Sequence, residues 1–330
     1  MKKYGFIFLT LTLVFLFQCA RERVQPFSAA MKKELSCLPA SSDIIGYANI
    51  KSFQQSAFLE IITKSWEEEH PHKKDFQEFL EQTGINFKED VDELFLSVTL
   101  PPEANKPQML LVIKGAFDKN KILNYLSEKH PDLPQKSDTY QNQVLYWYDE
   151  KKPVLCFMET NRLLLGNREM VKSWLDHYFA PEEFQEEENE IFKQIRTIKY
   201  KTGSWMVVNA QPFVERITRK IESHPEIKRL QGLKAIQKIQ FSLKTEDEFY
   251  FQGLGAFSDA EKAELFHDAI KGFLATAKLS LSDDRQAVDI LNKVKIKTAG
   301  PHVQVNFKMT PNDLNKLLEH HRQLQHHRPV

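Results

Sequence analysis

Val91–Leu126, VDELFLSVTLPPEANKPQMLLVIKGAFDKNKILNYL, and Leu233–Ile270, LKAIQKIQFSLKTEDEFYFQGLGAFSDAEKAELFHDAI, decide how this chain is read. Each runs apolar strand, polar turn, apolar strand, then an amphipathic stretch, and each passes through Gly-Ala-Phe before its helix. The triplets begin at Gly115 and Gly255, about 140 residues apart, a spacing that suits a duplicated domain and far exceeds any solenoid period. Glycine at the strand end and phenylalanine at the corner (Gly115 and Phe117, Gly255 and Phe257) are the expected structural anchors of the repeat.

The flanks repeat as well. DIIGYANIKSFQQSAFLEIITKSW precedes the first unit and SWMVVNAQPFVERITRKI the second. QVLYWYDEKKPVLCFMETNRLLLGNREMVKSWLDHY and NKVKIKTAGPHVQVNFKMTPNDLNKLLEHH follow them, each read as a hairpin and a helix. Ile239, Phe241 and Leu243 alternate with Gln240, Ser242 and Lys244, and Val303, Val305, Phe307 and Met309 alternate with polar residues. This period of two is the pattern of antiparallel sheet with one drier face. Ala263, Phe266, Ile270, Phe273 and Ala277 share one helical face. Ser258 with Glu261, and Thr310 before Pro311, read as helix starts. The expected fold is α+β: two related halves, each a largely antiparallel sheet with packed helices in the order β-α-β-β-α-β-β-α. MLLVIKGAF and LYWY are apolar on both faces, so something must cover both sides of those strands.

The N-terminus addresses the chain. Lys2 and Lys3 precede an apolar run of about thirteen residues, within the roughly 7–15 of a signal-peptide core and short of the roughly 20 a membrane span needs. LFQC (Leu16–Cys19) has the form of a bacterial lipobox with Gln18 where a small residue is usual, and Cys19 is the expected lipidation site. Cleavage after FSAA and a retained anchor are the alternatives. The expected organisation is a signal peptide (1–18), a lipidated N-terminus and linker (19–36), a first repeat (37–180), an acidic linker (181–200) around PEEFQEEENE, a second repeat (201–320) and a His-rich tail (321–330). This places the protein in the bacterial cell envelope, membrane-anchored and facing the periplasm or cell surface.

Composition agrees with a folded ectodomain: 42% of the 330 residues are hydrophobic and 27% charged, enough for packed cores and a solvated surface. A formal net charge of +0 offers no bulk field for nucleic acid. Cys37 and Cys156 remain if Cys19 carries lipid; they read as separate buried thiols, with a disulfide open to them in an exported compartment.

No motif assigns chemistry. GLGAFS (Gly253–Ser258) lacks the third glycine of a dinucleotide loop. His320, His321, His326 and His327 are never three or four residues apart, the spacing one helical face needs for a metal. No catalytic residue, metal ligand or cofactor is expected, and the acidic tract reads as a solvated linker. From CLPASSDIIGYANIKSFQQSAF and the paired units ending in GAFD and GAFS, the chain resembles a family of uncharacterised exported bacterial proteins, often lipoproteins. The resemblance spans about Leu38 to Leu318 and implies a duplicated α+β ectodomain with no catalytic residues to carry over. The expected role is a non-enzymatic envelope lipoprotein, a binding or scaffold ectodomain for a protein, lipid or small apolar ligand. The alternative is a hydrolase or other enzyme with a motif-free site.

Overall fold

In the computed structural model, residues 27–54, 56, 58, 73–101, 106–149, 153–159, 161–180, 190–222, 234–245 and 247–316 are described. Cys19, the acidic run 181–189 and the His-rich tail lie outside them. In chain order the first half contains α1 (Ala29–Ser36), β1 (Ile44–Asn49), α2 (Ile50–Phe53), α3 (Lys73–Thr83), α4 (Phe87–Asp90), β2 (Val91–Thr99) and β3 (Gln108–Gly115). It continues through α5 (Lys119–Lys129), β4 (Lys136–Tyr140), β5 (Gln143–Trp147), β6 (Val154–Met158), β7 (Arg162–Gly166) and α6 (Arg168–Phe179). Then come α7 (Glu190–Arg196), β8 (Ser204–Asn209), α8 (Gln211–Glu222), β9 (Ile236–Thr245) and β10 (Phe249–Phe257). The chain closes with α9 (Ala260–Ser280), α10 (Arg285–Asn292), β11 (Lys295–Ala299) and β12 (His302–Met309), followed by helical residues 311–316.

The protein is α+β, and its strands form one 12-stranded sheet in the order β11-β12-β10-β9-β8-β1-β2-β3-β7-β6-β5-β4. Every neighbouring pair is antiparallel. Outward from the middle, β1-β2-β3-β7-β6 on one side matches β8-β9-β10-β12-β11 on the other, so the two halves meet edge to edge through β1 and β8. At that seam Ile45 lies opposite Val207, Gly46 opposite Met206 and Tyr47 opposite Trp205. β10, which carries GLGAF, runs antiparallel between β9 and β12, so no parallel βαβ unit surrounds those glycines.

Directly paired residues share a sheet face, which lets the core be followed strand by strand. On one face Ile45, Tyr47, Phe95, Leu110, Val112, Leu164, Cys156 and Leu145 form a continuous core with Trp205 and Val207 of the second half. Helices α1, α6 and α7 cover it with Met31 and Leu35, Trp174 and Leu175, and Ile191, Phe192 and Ile195. The other face of the first half is packed by α3 and α5, whose Phe79, Ile122 and Leu126 meet Leu155, Leu163 and Leu165. Helices are therefore what cover both sides of the doubly apolar strands. In the second half α8 and α9 place Val214, Ala263, Phe266 and Ile270 against Ile239 and Val303.

Several local expectations are corrected. Residues 29–36, assigned to the N-terminal linker, form a packed helix in which Met31, Glu34 and Leu35 are buried. Residues 190–198, assigned to the acidic linker, bury Ile191, Phe192, Ile195 and Ile198. The first half carries an additional hairpin, β4–β5, with β5 built from QVLYW. In α9 the N-cap is Asp259, whose side chain accepts from Lys262 N, one residue after the expected Ser258. Thr310 does start its helix: Asp313 N donates to its Oγ1 at 3.2 Å while Asp313 Oδ2 accepts from Thr310 N at 2.8 Å. Phe273 of α9 is 73% exposed, because a 21-residue helix outruns the three strands it packs on. Among the described residues no helix is long and apolar enough to cross a membrane.

Cys37 and Cys156 are separate, buried thiols. Burial, with Glu34 nearby, pushes the Cys37 thiol up to about 11, and burial pushes that of Cys156 up to about 12.

The Gly-Ala-Phe corners are alike in one contact and unlike in another. A Cβ on Gly115 would lie 3.1 Å from Phe117 Cζ, and one on Gly255 would lie 3.1 Å from Phe257 Cε2, so in both the ring folds back over the glycine. At Gly115 that Cβ would also lie 1.9 Å from Asp90 O, a contact only glycine admits. Phe257 continues its strand past a bulge, is 3% exposed and packs on Phe266 at 4.9 Å between ring centres. Phe117 follows the end of β3 and is only half-buried. The expected match in burial is therefore incomplete. Phe257→Ala should cost about 3–5 kcal/mol in urea unfolding, as a fully buried ring does, and Phe117→Ala clearly less. Equal losses would contradict the difference between the corners.

Candidate functional site

β1 ends at Asn49 and β8 at Asn209, and each asparagine lies beside the first residues of the next strand: Asn49 opposite Glu93, Asn209 opposite Lys238. The two ends of the seam are thus equivalent by topology. Their chemistry has diverged.

At the Asn49 end the space is closed by side chains. Asn49 Oδ1 accepts from Ser52 N at 3.0 Å to cap α2, and its Nδ2 donates to Thr202 O at 2.9 Å, tying the halves together. Tyr47 donates to Glu93 Oε1 at 2.7 Å, and Lys114 pairs with Glu93 Oε2 at 2.6 Å. Lys114 also stands 3.8 Å from Glu34 of α1, whose Oε1 accepts from Arg162 Nη2 at 2.6 Å. Arg162 Nη1 donates to Tyr178 at 3.3 Å, and its guanidinium lies over the Tyr178 and Trp174 rings, 5.1 and 5.7 Å from their centres. Glu34 and Arg162 are 6% and 9% exposed. Burial opposes the charge on Arg162, but Glu34 outweighs it and raises the guanidinium further. These two acids and two bases neutralise one another, and the network pins α1 onto the sheet.

At the Asn209 end the same region is open. A cleft of about 480 Å³ lies between the loop before β1 (Ala40, Ser41, Ser42, Asp43), the first turns of α7 (Glu190, Ile191, Gln194), the β8–α8 corner (Asn209, Gln211) and the start of β9 (Gln237, Lys238). Both halves contribute walls. The backbone of the corner is fixed: Asn209 N donates to Asp43 O at 2.7 Å and Ala210 N to Gln237 O at 2.9 Å. Asp43 Oδ2 accepts from Leu100 N at 2.7 Å, which turns that carboxylate toward its own half. Glu190 is held by Lys193 at 2.6 Å and by Lys238 at 2.8 Å, and these hydrogen bonds, Lys193 first, bring its carboxyl down to about 2. Gln194 Oε1 is buried and has no hydrogen-bond partner among the described residues.

One group of potential metal donors occurs elsewhere among the described residues. Glu264, His267 and Asp268 on α9 bring three ligand atoms within 4.8 Å of one another. His267 is buried and its Nδ1 lies 3.0 Å from Asp268 Oδ1, while Glu264 also accepts from Thr298 at 3.0 Å.

Of the residues singled out by sequence, Gly115, Phe117, Gly255 and Phe257 lie at the two corners between strand and helix, away from the cleft, and Cys19 lies outside the described residues. The cleft residues escaped sequence reading because they are scattered polar side chains without a motif. The signal present was the recurrence of asparagine at the end of each half's first strand, YAN and VVN.

The fold and its seam define an α+β protein built on one duplicated antiparallel sheet. No protein-family model matches the chain, and no curated protein matches it. Among solved structures, two crystal forms of TP0453, a bacterial protein, are similar to it. Form IV has a TM-score of 0.46 at 10% identity, and form I a TM-score of 0.42 at 11% identity. Each alignment covers 86% of this chain and 95% of that one.

Removing one partner of the buried pair tests the closed end of the seam. Glu34→Ala should cost about 3–5 kcal/mol, since it strands a buried guanidinium, while Glu34→Leu with Arg162→Met should cost less than either single change. Chemical denaturation of Glu34→Ala, Glu34→Leu, Arg162→Met and the double variant measures this. An additive double variant would contradict the network.

Proposed function

We propose that this chain is an exported, lipid-anchored, non-enzymatic binding ectodomain of the bacterial envelope, and that its ligand site is the cleft at the open end of the seam. The observation that carries the reading is the divergence of two equivalent ends, one occupied by an internal ion network and one left as an open cleft walled by both halves. The cavity's size is in the range of small-molecule sites, roughly 300–1,000 Å³.

The charge state of Glu190 speaks against its serving as a general acid in the cleft. A general acid needs a carboxyl held protonated near neutral pH. Glu190 is driven the other way by Lys193 and Lys238.

The anchor rests on LFQC and on the packed helix α1, which begins only ten residues after Cys19. A fatty-acid analogue fed to expressing bacteria should label the protein and hold it in the membrane fraction, and Cys19→Ser should remove the label and release the protein with its near-UV circular dichroism unchanged. Unlabelled wild-type protein in the soluble fraction would contradict the anchor.

A further inference from the structure

The three most exposed large apolar side chains among the described residues lie on one helix. On α9, Leu265 is 58% exposed, Phe273 73% and Leu279 76%. Leu265, Ala269, Gly272, Thr276 and Leu279 follow one another four, three, four and three residues apart and are all exposed, so they form one open face with Phe273 at its edge. That face is turned away from Ala263, Phe266 and Ile270, which pack on the sheet. Its hydroxyls are withdrawn: Thr276 Oγ1 donates to Gly272 O and Ser280 Oγ to Thr276 O, both at 3.0 Å. What remains is an apolar stripe about 21 Å long, of the kind that marks a contact surface.

The pattern of the stripe selects a second copy of this chain as its occupant. It is nearly symmetric about Gly272: Leu265 lies seven residues before and Leu279 seven after, with the small Ala269 and Thr276 between. A two-fold contact needs such a self-complementary patch, and antiparallel pairing of two α9 helices across Gly272 sets Leu265 of one against Leu279 of the other. Nothing lies within 4 Å of a Cβ built on Gly272, so no contact inside the chain calls for this poor helix former. At the centre of a helix pair it lets the two backbones approach. Charge sets the direction. Residues 260–270 carry Glu261, Glu264 and Asp268 against Lys262, whereas residues 271–280 carry Lys271 and Lys278 and no acid. This polarity suits the helix dipole as well, but across a helix pair it places acid beside base only when the helices are antiparallel.

From these observations we propose that the protein forms a two-fold dimer through antiparallel packing of α9 on α9, independently of the cleft. A helix pair of this length buries less than a standard interface, which puts the Kd in the micromolar range, about 1–100 µM.

Sedimentation velocity tests the dimer on the whole mature chain with Cys19→Ser, which removes the lipid, at concentrations from about 1 to 300 µM. A reversible monomer–dimer equilibrium is expected. Phe273→Ser and, separately, Gly272→Leu should each weaken it about tenfold or more with near-UV circular dichroism preserved. Gly272→Leu adds apolar surface and helix propensity, so a loss there reports close pairing and not general stickiness. Leu133→Ser, at an exposed apolar residue elsewhere, should leave the equilibrium unchanged. On mild oxidation, an equimolar mixture of Leu265→Cys and Leu279→Cys chains should crosslink faster than either variant alone. Dimerisation indifferent to Phe273→Ser and Gly272→Leu overturns α9 as the contact. Faster crosslinking of either cysteine variant with itself overturns the antiparallel order. A monomer at every concentration overturns the pairing, and binding of that monomer to phosphatidylglycerol vesicles, lost in Phe273→Ser, would assign the stripe to a lipid surface instead.

Discussion

The pairing of β1 with β8 is the constraint on which the rest of the molecule depends. Each half carries a strand edge of unpaired backbone groups, and such an edge is an open invitation to pair. Joining the two edges satisfies both and turns duplicated units into one sheet. The seam then fixes what the halves can do to each other. Trp205 and Val207 join the first half's core, where the Trp205 ring lies 5.6 Å from that of Tyr47. α7, which precedes the second half's first strand, packs its Ile191, Phe192 and Ile195 into the same core. The second half's first strand and the helix before it are therefore part of the first half's core, while α8 and α9 close a separate core on the second half.

Duplication leaves two topologically equivalent ends beside the seam. At the Asn49 end a hydrogen bond between the halves and the Tyr47–Glu93–Lys114–Glu34–Arg162 chain fill the space. At the Asn209 end residues of both halves line an open cleft in which Glu190 is held by Lys193 and Lys238. Buried ion networks of the first kind are sensitive to the loss of one member because the other is left uncompensated. The two sheet faces differ as well: along the face that carries the main core, apolar side chains give way beyond β8 to Gln240, Gln252, Gln304 and Asn306, which bond one another or Thr197.

The sequence carried the strands, the helices that follow Gly-Ala-Phe and the α+β class, because alternation and helical periodicity are local. Ile239, Phe241 and Leu243 announce their strand without help from the rest of the chain. The single sheet was not legible, since the register of β1 on β8 is set by contacts some 160 residues apart in sequence, between Ile45 and Val207 and their neighbours. α1 was read as linker because AAMKKELS has few apolar residues to signal it, and α7 because the acidic tract before it masked a short apolar face. Phe273 looked like core because its helix is amphipathic at the right period; the pattern does not say where the supporting strands stop. The cleft was the least legible feature. Asp43, Gln194, Asn209 and Lys238 come from four separate elements, and nothing in the spacing of such common residues marks them before the chain is folded.

Native-state hydrogen exchange, read by mass spectrometry on the full mature chain, tests the one-sheet account most directly. If the halves share one sheet, the amides of β1 and β8 exchange as slowly as those of β2 and β9, and both halves open in a single global event under mild denaturant. Rapid exchange along β1 and β8, with the two halves opening at separate denaturant concentrations, would contradict the seam on which the account is built.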